Sequence, residues 1–269
     1  WVEKVYSVMM FLLSGLLIAL IWKHTTNRIR RAWLPLLLWL AMPLVTWSAT
    51  NNLLENTMSV FVLLSVYLII LGYQRNHKIW LFLSAVTLLL AFLSKGFTGL
   101  FPLVFPILYC AFDKKRKWIQ GPIDSLLLLV TVAVFSGVGL LVCPGSFAYL
   151  KDYIRLQVIG VGLHEATTSS RFYIVFALLQ QLVIPCVLAL VLVICKTKSK
   201  VNRKIFEFPP DKAWFYSFLI LGLFGVLPIM VSVKQRDFYM SAALPFFALA
   251  FGHITLSMIE ILMNNETPK

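Results

Sequence analysis

Uninterrupted apolar runs, about 17–22 residues long, recur along this 269-residue chain and limit its fold more than any other feature. A helix rising ~1.5 Å per residue needs about 20 such residues to cross a hydrocarbon core of ~30 Å. Nine spans can be read, at residues 5–22, 33–50, 57–73, 79–94, 99–112, 123–142, 172–195, 213–231 and 239–259. Hydrophobic residues make up 60% and charged residues 13%, against about 45–50% and about 25% in soluble domains. Strands of a membrane barrel would be about 10 residues long and strictly alternating. The expectation is therefore an all-α, polytopic transmembrane helical bundle, with 1–269 as a single domain.

The formal charge of +13 would suit nucleic acid if it formed a face. It does not, because the basic residues fall in short loops between apolar runs. Of the 24 lysines and arginines, seventeen sort to one side: four over 23–31, Arg75 and Lys78, four over 114–117, six over 196–212, and Lys269. The other side receives seven, namely Lys4, Lys95, Lys151, Arg155, Arg171, Lys234 and Arg236. Basic loops stay in the cytoplasm, which places the N-terminus outside and the C-terminus inside. The chain opens on Trp1, so its natural start is expected upstream. Cys110, Cys143, Cys186 and Cys195 show no C-x-x-C spacing and read as packing residues.

Chemistry is expected on the outward side, because the cytoplasmic loops are basic, short and without clustered acids. In "FLSKGFTGLFP" (92–102), Lys95 ends an apolar run and two glycines follow it. A lysine at a span end can snorkel to the interface. Beside permissive backbone and the hydroxyls of Ser94 and Thr98, it can equally hold an anionic headgroup such as phosphate. In "SATNNLLENT" (48–57), Glu55 enters a span among Asn51, Asn52, Asn56 and Thr57. It suits the positive end of a helix dipole, or a general base in an amide-rich pocket. In "VKQRDFYMSAALPFF" (233–247), Lys234, Arg236 and Asp237 crowd a hairpin before Tyr239. These are a solvated turn with an aromatic belt residue, or a second phosphate contact. The long outer loop 143–171 carries Phe147, Leu150, Ile154 and Val158 at helical spacing behind Ser146, a candidate N-cap, as an interfacial helix does. His164 and Glu165 adjoin there without the further ligands a metal site needs. His253, inside the last span, reads as a packed, hydrogen-bonded residue.

These stretches, in this order, resemble the GT-C membrane glycosyltransferases of the dolichyl-phosphate-mannose protein mannosyltransferase superfamily, and most closely its aminoarabinose (lipid A) transferase-like branch. The matching pieces are "LLENTMSVFVLLSVYL", "LSKGFTGLFPLVFP", "SSRFYIVFALLQQLVIP" and "KQRDFYMSAALPFFALAFG". The resemblance implies an inverting transferase in a bacterial inner membrane, its active site facing the periplasm. It would move a sugar from a polyprenyl-phosphate donor to lipid A, another glycolipid or a protein. It also implies no cofactor and no divalent metal, and membrane lipids, donor and acceptor as partners, without nucleic acid. By matched position Glu55 is an acid secondary to the principal one, with Lys95, Arg171, Tyr173, Lys234, Arg236 and Tyr239 toward the substrate. The family's principal acid lies in a first outer loop that nothing here matches. The resemblance therefore implies a chain lacking the family's first helix and first outer loop, whose own activity is in question. The alternative reading is a transporter or flippase of lipid-linked material, which would place ionisable groups near the midplane.

Overall fold

Helices α1 (Val2–Thr26) and α4 (Leu54–Arg75) both stop on a left-handed asparagine, Asn27 at φ 56° and Asn76 at φ 53°. Asparagine is one of the few side chains that visits this region readily. The computed structural model describes residues 1–113, 116–155, 170–198, 212–231 and 235–264, and no strand occurs among them. The all-α expectation holds for these residues.

Past Asn76 the chain returns as α5 (Ile79–Lys95), antiparallel to α4. The pair closes at Gly72, where a Cβ would already meet Trp80 and Leu81 at 3.4–3.5 Å. Deeper in, the Ser65 and Ser84 hydroxyls hydrogen-bond at 2.8 Å, so each satisfies the other away from lipid.

The expected span 33–50 is broken. It runs as α2 (Trp33–Leu40) and α3 (Pro43–Ala49), and a 90° bend separates the helical stretches Ile29–Leu40 and Pro43–Ala49. Pro43 has no N–H to continue the ladder, and it pushes Met42 into extended backbone (φ −80°, ψ 118°). Helix α3 therefore does not continue the line of α2, and its Leu44 amide donates to Oε1 of Gln181 at 2.8 Å.

Residues 79–112 are helical throughout and 34 long, yet their contacts resolve them into two limbs. Gly96, at φ 75° and ψ −148°, ends α5. The 3-10 segment Gly96–Val104 then folds back on α5, with Phe97 against Phe92 at 5.3 Å between ring centroids. Lys95 meets Glu55 at the start of α4, whereas Tyr109 and Cys110 of α6 (Phe105–Phe112) meet Tyr73 near its end. Nine residues at ~2.0 Å and eight at ~1.5 Å of rise return about 30 Å, one bilayer core. The two expected spans 79–94 and 99–112 are thus a hairpin. Gly99 makes it possible, since a Cβ there would lie 2.7 Å from the backbone carbon and oxygen of Ala91. Gly99→Ala is expected to cost about 1–3 kcal/mol, because backbone must move to admit the methyl. Thermal unfolding in detergent checks it against Gly137→Ala, whose Cβ meets nothing within 4 Å and should leave the midpoint unchanged.

The remaining helices are α7 (Gln120–Val142), α8 (Ser146–Tyr153), α9 (Tyr173–Lys198), α10 (Lys212–Val226) and α11 (Leu244–Asn264). Every residue from Met240 to Ala250 is buried, so the start of α11 is the most enclosed part of the bundle. It packs on α2, α9 and α10. Gly222 and Gly225 of α10 let it approach: Cβ atoms there would lie 2.8 Å from the Phe247 ring and the Ala243 methyl. Small residues serve close packing where lipid supplies little hydrophobic drive. Tyr73, Tyr109, Trp214 and Phe218 form a stacked run joining α4, α6 and α10. His253 is buried with its ring tilted against Trp22 at 4.9 Å, so it packs as expected, but its Nε2 has no hydrogen-bond partner among the described residues. Exposed apolar side chains cover α7 and α9, which face lipid.

Six helical stretches among the described residues are long and apolar enough to cross a membrane, seven if the bent pair is one span. The hairpin counts once in that reckoning, and the last expected span, 239–259, becomes α-helical only at Leu244. The figure of nine is not reached by length and composition. In the loop 143–171, α8 begins at Ser146 but its N-cap is Gly145 at φ 85°, so Ser146 does not cap. Val158, His164 and Glu165 lie outside the described residues.

Candidate active site

Lys95 is the last residue of α5, and the Gly96 turn leaves it at the hairpin corner. Its ammonium donates to Oε1 of Glu55, with side-chain exposures of 21% for Lys95 and 4% for Glu55. The Nζ atom also lies 4.1 Å from the centre of the Tyr239 ring and 5.5 Å from that of Phe238. The aromatic faces supply a second, diffuse negative surface for the cation. Sequence reading named Glu55, Lys95 and Tyr239 separately, and the structure brings them into one contact. Snorkelling alone does not describe this lysine, because most of its side chain is covered. The flanking hydroxyls do not attend it: Ser94 Oγ donates to the Leu90 carbonyl, and Thr98 Oγ1 to the carbonyl of Lys95 itself.

Glu55 sits in the first turn of α4, where a carboxylate is favourable to the helix dipole. Its side chain makes no capping bond and reaches to Lys95 instead. The expected amide-rich pocket around it is not what forms. Asn56 is buried and donates to Ser7 Oγ at 3.1 Å, the Ser48 carbonyl at 2.8 Å and the Asn51 carbonyl at 3.2 Å. Thr57 pairs with the Tyr6 hydroxyl at 2.8 Å, and Asn51 Nδ2 bonds the Trp47 carbonyl at 2.6 Å. These amides staple the loop 48–56 to α1, which fixes the entry of α4 and so the depth of Glu55.

Tyr239 belongs to a 3-10 turn, Asp237–Met240, set on extended backbone at Arg236. Gln235, which sequence reading passed over, holds this segment in place. It is 1% exposed; its Nε2 donates to the Arg171 carbonyl, and its Oε1 accepts from the Ile174 amide, each at 3.0 Å. The second bond satisfies an orphan amide in the first turn of α9. Arg171, Tyr173 and Arg236 are thereby held near one another and exposed, with the Tyr173 hydroxyl facing Asp237. The segment 235–240 joins this group to the Lys95 contact, since Phe238 and Tyr239 lie beside the ammonium. Lys234 lies outside the described residues.

Two further features were not foreseen. Tyr153 of α8 rests over the hairpin corner, where a Cβ on Gly96 would collide with its hydroxyl. Burial pushes the pKa of that phenol up, so it stays neutral. At the opposite rim the loops are not plain. Asp124 is buried beside Tyr73, whose hydroxyl accepts from the Cys110 thiol at 3.8 Å; Arg116 donates to the Tyr73 carbonyl at 2.5 Å. Asp124 stands just before the apolar run that starts at Leu126, which left it little signal in the sequence. Arg75, Lys78 and Arg116 gather at this rim, away from Lys95, as the charge sorting expects.

A family model described as dolichyl-phosphate-mannose-protein mannosyltransferase matches residues 1–140, more than half of the 269. The chain belongs to this family. No curated protein and no solved structure matches it significantly. Membership makes it a membrane glycosyltransferase of the kind that draws sugar from a polyprenyl-phosphate donor. The mannosyltransferase match carries Glu55 and Lys95 but ends before Arg171, Tyr173, Arg236 and Tyr239. At the site, the contact of Tyr239 with Lys95 links the unmatched part of the chain to the matched part. Gln235→Leu, by removing two bonds to buried groups at about 1–3 kcal/mol each, is expected to raise the donor KM about tenfold and to change kcat less. A general loss of fold would lower both activity and the yield of monodisperse protein.

Proposed function

We propose that Lys95 receives the phosphate of a polyprenyl-phosphate sugar and that Glu55 serves the acceptor hydroxyl. The observation that carries this reading is the partly covered ammonium shared between a carboxylate and an aromatic face at one rim of the bundle. Sugar transfer from such a donor needs a base near the acceptor and a cation near the leaving phosphate, and the two stand in contact here. Arg171 and Arg236, exposed on the same rim, extend the positive surface over which the headgroup approaches. Tyr173 and Tyr239 offer ring faces and hydroxyls to the sugar. In this reading lysine and arginine neutralise the phosphate without a divalent metal.

The charge sorting supports a site on the outer face, and the motif order supports the aminoarabinose transferase-like branch, with lipid A or another glycolipid as acceptor and inversion at the anomeric carbon. The site would then face the periplasm of a bacterial inner membrane. The transporter alternative is disfavoured by position: the ion pair sits where α4 begins and α5 ends, not midway along them.

The test is sugar transfer in vesicles holding the purified protein, supplied with polyprenyl-phosphate mannose or polyprenyl-phosphate aminoarabinose and lipid A. Release of polyprenyl phosphate with labelled sugar on the acceptor supports the reading. Translocation of intact donor without release of its phosphate supports the transporter instead.

A further inference from the structure

The Glu55–Lys95 contact poses a chemical difficulty. A carboxylate whose lone pairs are held by an ammonium is a poor base, because the neighbouring cation favours its ionised form. A lysine neutralised by a carboxylate is likewise a poor phosphate ligand. Each group blocks the task assigned to the other. The blockage is tight, since Glu55 is 4% exposed and water screens the pair little.

We propose that the cation is handed over: the donor's phosphate takes Lys95 from Glu55, and the freed carboxylate becomes the base. The proposal rests on the glycosyl-transfer reading above and adds an order to it, donor before acceptor. Three features favour the exchange. Lys95 ends α5 at the hairpin corner and retains 21% exposure, so a headgroup can reach it without opening the bundle. Its ammonium carries three donors, and the Tyr239 ring at 4.1 Å can hold the cation while the anionic partner changes. Charge also changes in the required direction as the reaction proceeds. The acceptor oxygen forms a bond to the anomeric carbon while the bond from that carbon to the phosphate oxygen breaks. The phosphate leaves with the bonding pair and gains negative charge, and the acceptor proton passes to Glu55. Lys95 is drawn toward the phosphate while Glu55 is called on as a base. The idle ion pair, conversely, keeps the carboxylate from activating water or acceptor when no donor is bound.

Binding of polyprenyl phosphate to the purified protein in nanodiscs tests the handover, with polyprenol as the uncharged control. Glu55→Gln removes the competing charge and is expected to tighten polyprenyl phosphate binding at least tenfold, leaving polyprenol unchanged. Lys95→Ala is expected to weaken it at least tenfold, and the double variant to match Lys95→Ala alone. If Glu55→Gln leaves binding unchanged or weakens it while Lys95→Ala weakens it, the handover is wrong and the phosphate site stands. If Lys95→Ala leaves binding unchanged, phosphate site and handover fall together. Should Glu55→Gln yield no folded protein, Glu55→Asp withdraws the carboxylate by one methylene. It should tighten binding by a smaller factor, and no tightening overturns the proposal.

Discussion

Lys95→Ala is expected to lower kcat/KM for sugar transfer by about 10²–10³, the range seen when one preorganised donor to a developing anion is removed. Two losses contribute. The leaving phosphate loses its closest cation, and Glu55 is left 4% exposed with no counter-charge. An uncompensated buried charge is costly, at about 3–5 kcal/mol where a partner is removed from a fully buried pair. Here Lys95 is partly exposed, so the stability loss should fall below that range and show as a lower unfolding midpoint. Lys95→Arg keeps the charge, but its planar fork does not match a site built around a point charge under the Tyr239 ring. It should recover stability more fully than turnover. Initial rates in vesicles, with the unfolding midpoint measured on the same preparations, separate the two effects.

Glu55→Gln is the second large effect, an expected loss of about 10²–10⁴ in kcat, the contribution usual for a positioned general base. The amide preserves size and an acceptor oxygen, and the loop remains stapled through Asn56, Ser7 and Ser48. The unfolding midpoint should therefore move little. Combined with the tighter polyprenyl phosphate binding expected of the same variant, the result is an enzyme that holds lipid phosphate better and turns over less. Parallel loss of binding and turnover would instead mark Glu55 as a structural residue.

The helical class was legible because membrane thickness sets run length, and charge sorting placed Lys95 and Glu55 on the same side. The 90° break falls at Pro43, yet a proline inside a span reads equally as one that neighbouring helices tolerate. The reversal at Gly96 was expected as a span boundary. What could not be read was how closely Gly99 lets the return limb approach Ala91. The ion pair joins residues 40 apart; seeing it requires the start of α4 to align with the end of α5, which side-chain periodicity does not fix. Gln235 escaped notice because it is uncharged between Lys234 and Arg236, and its partners, Arg171 and Ile174, stand 64 and 61 residues away. Asp124 was hidden by an apolar run that begins beside it. Asn56 was taken as company for Glu55 when its amide belongs to the fold.

The most direct measurement is a structure of the protein in nanodiscs with polyprenyl phosphate bound. The account predicts phosphate oxygens within hydrogen-bonding distance of Lys95 Nζ, the ammonium still beside Tyr239, and Glu55 released from it. A phosphate seated elsewhere, with the Glu55–Lys95 pair intact, would contradict it.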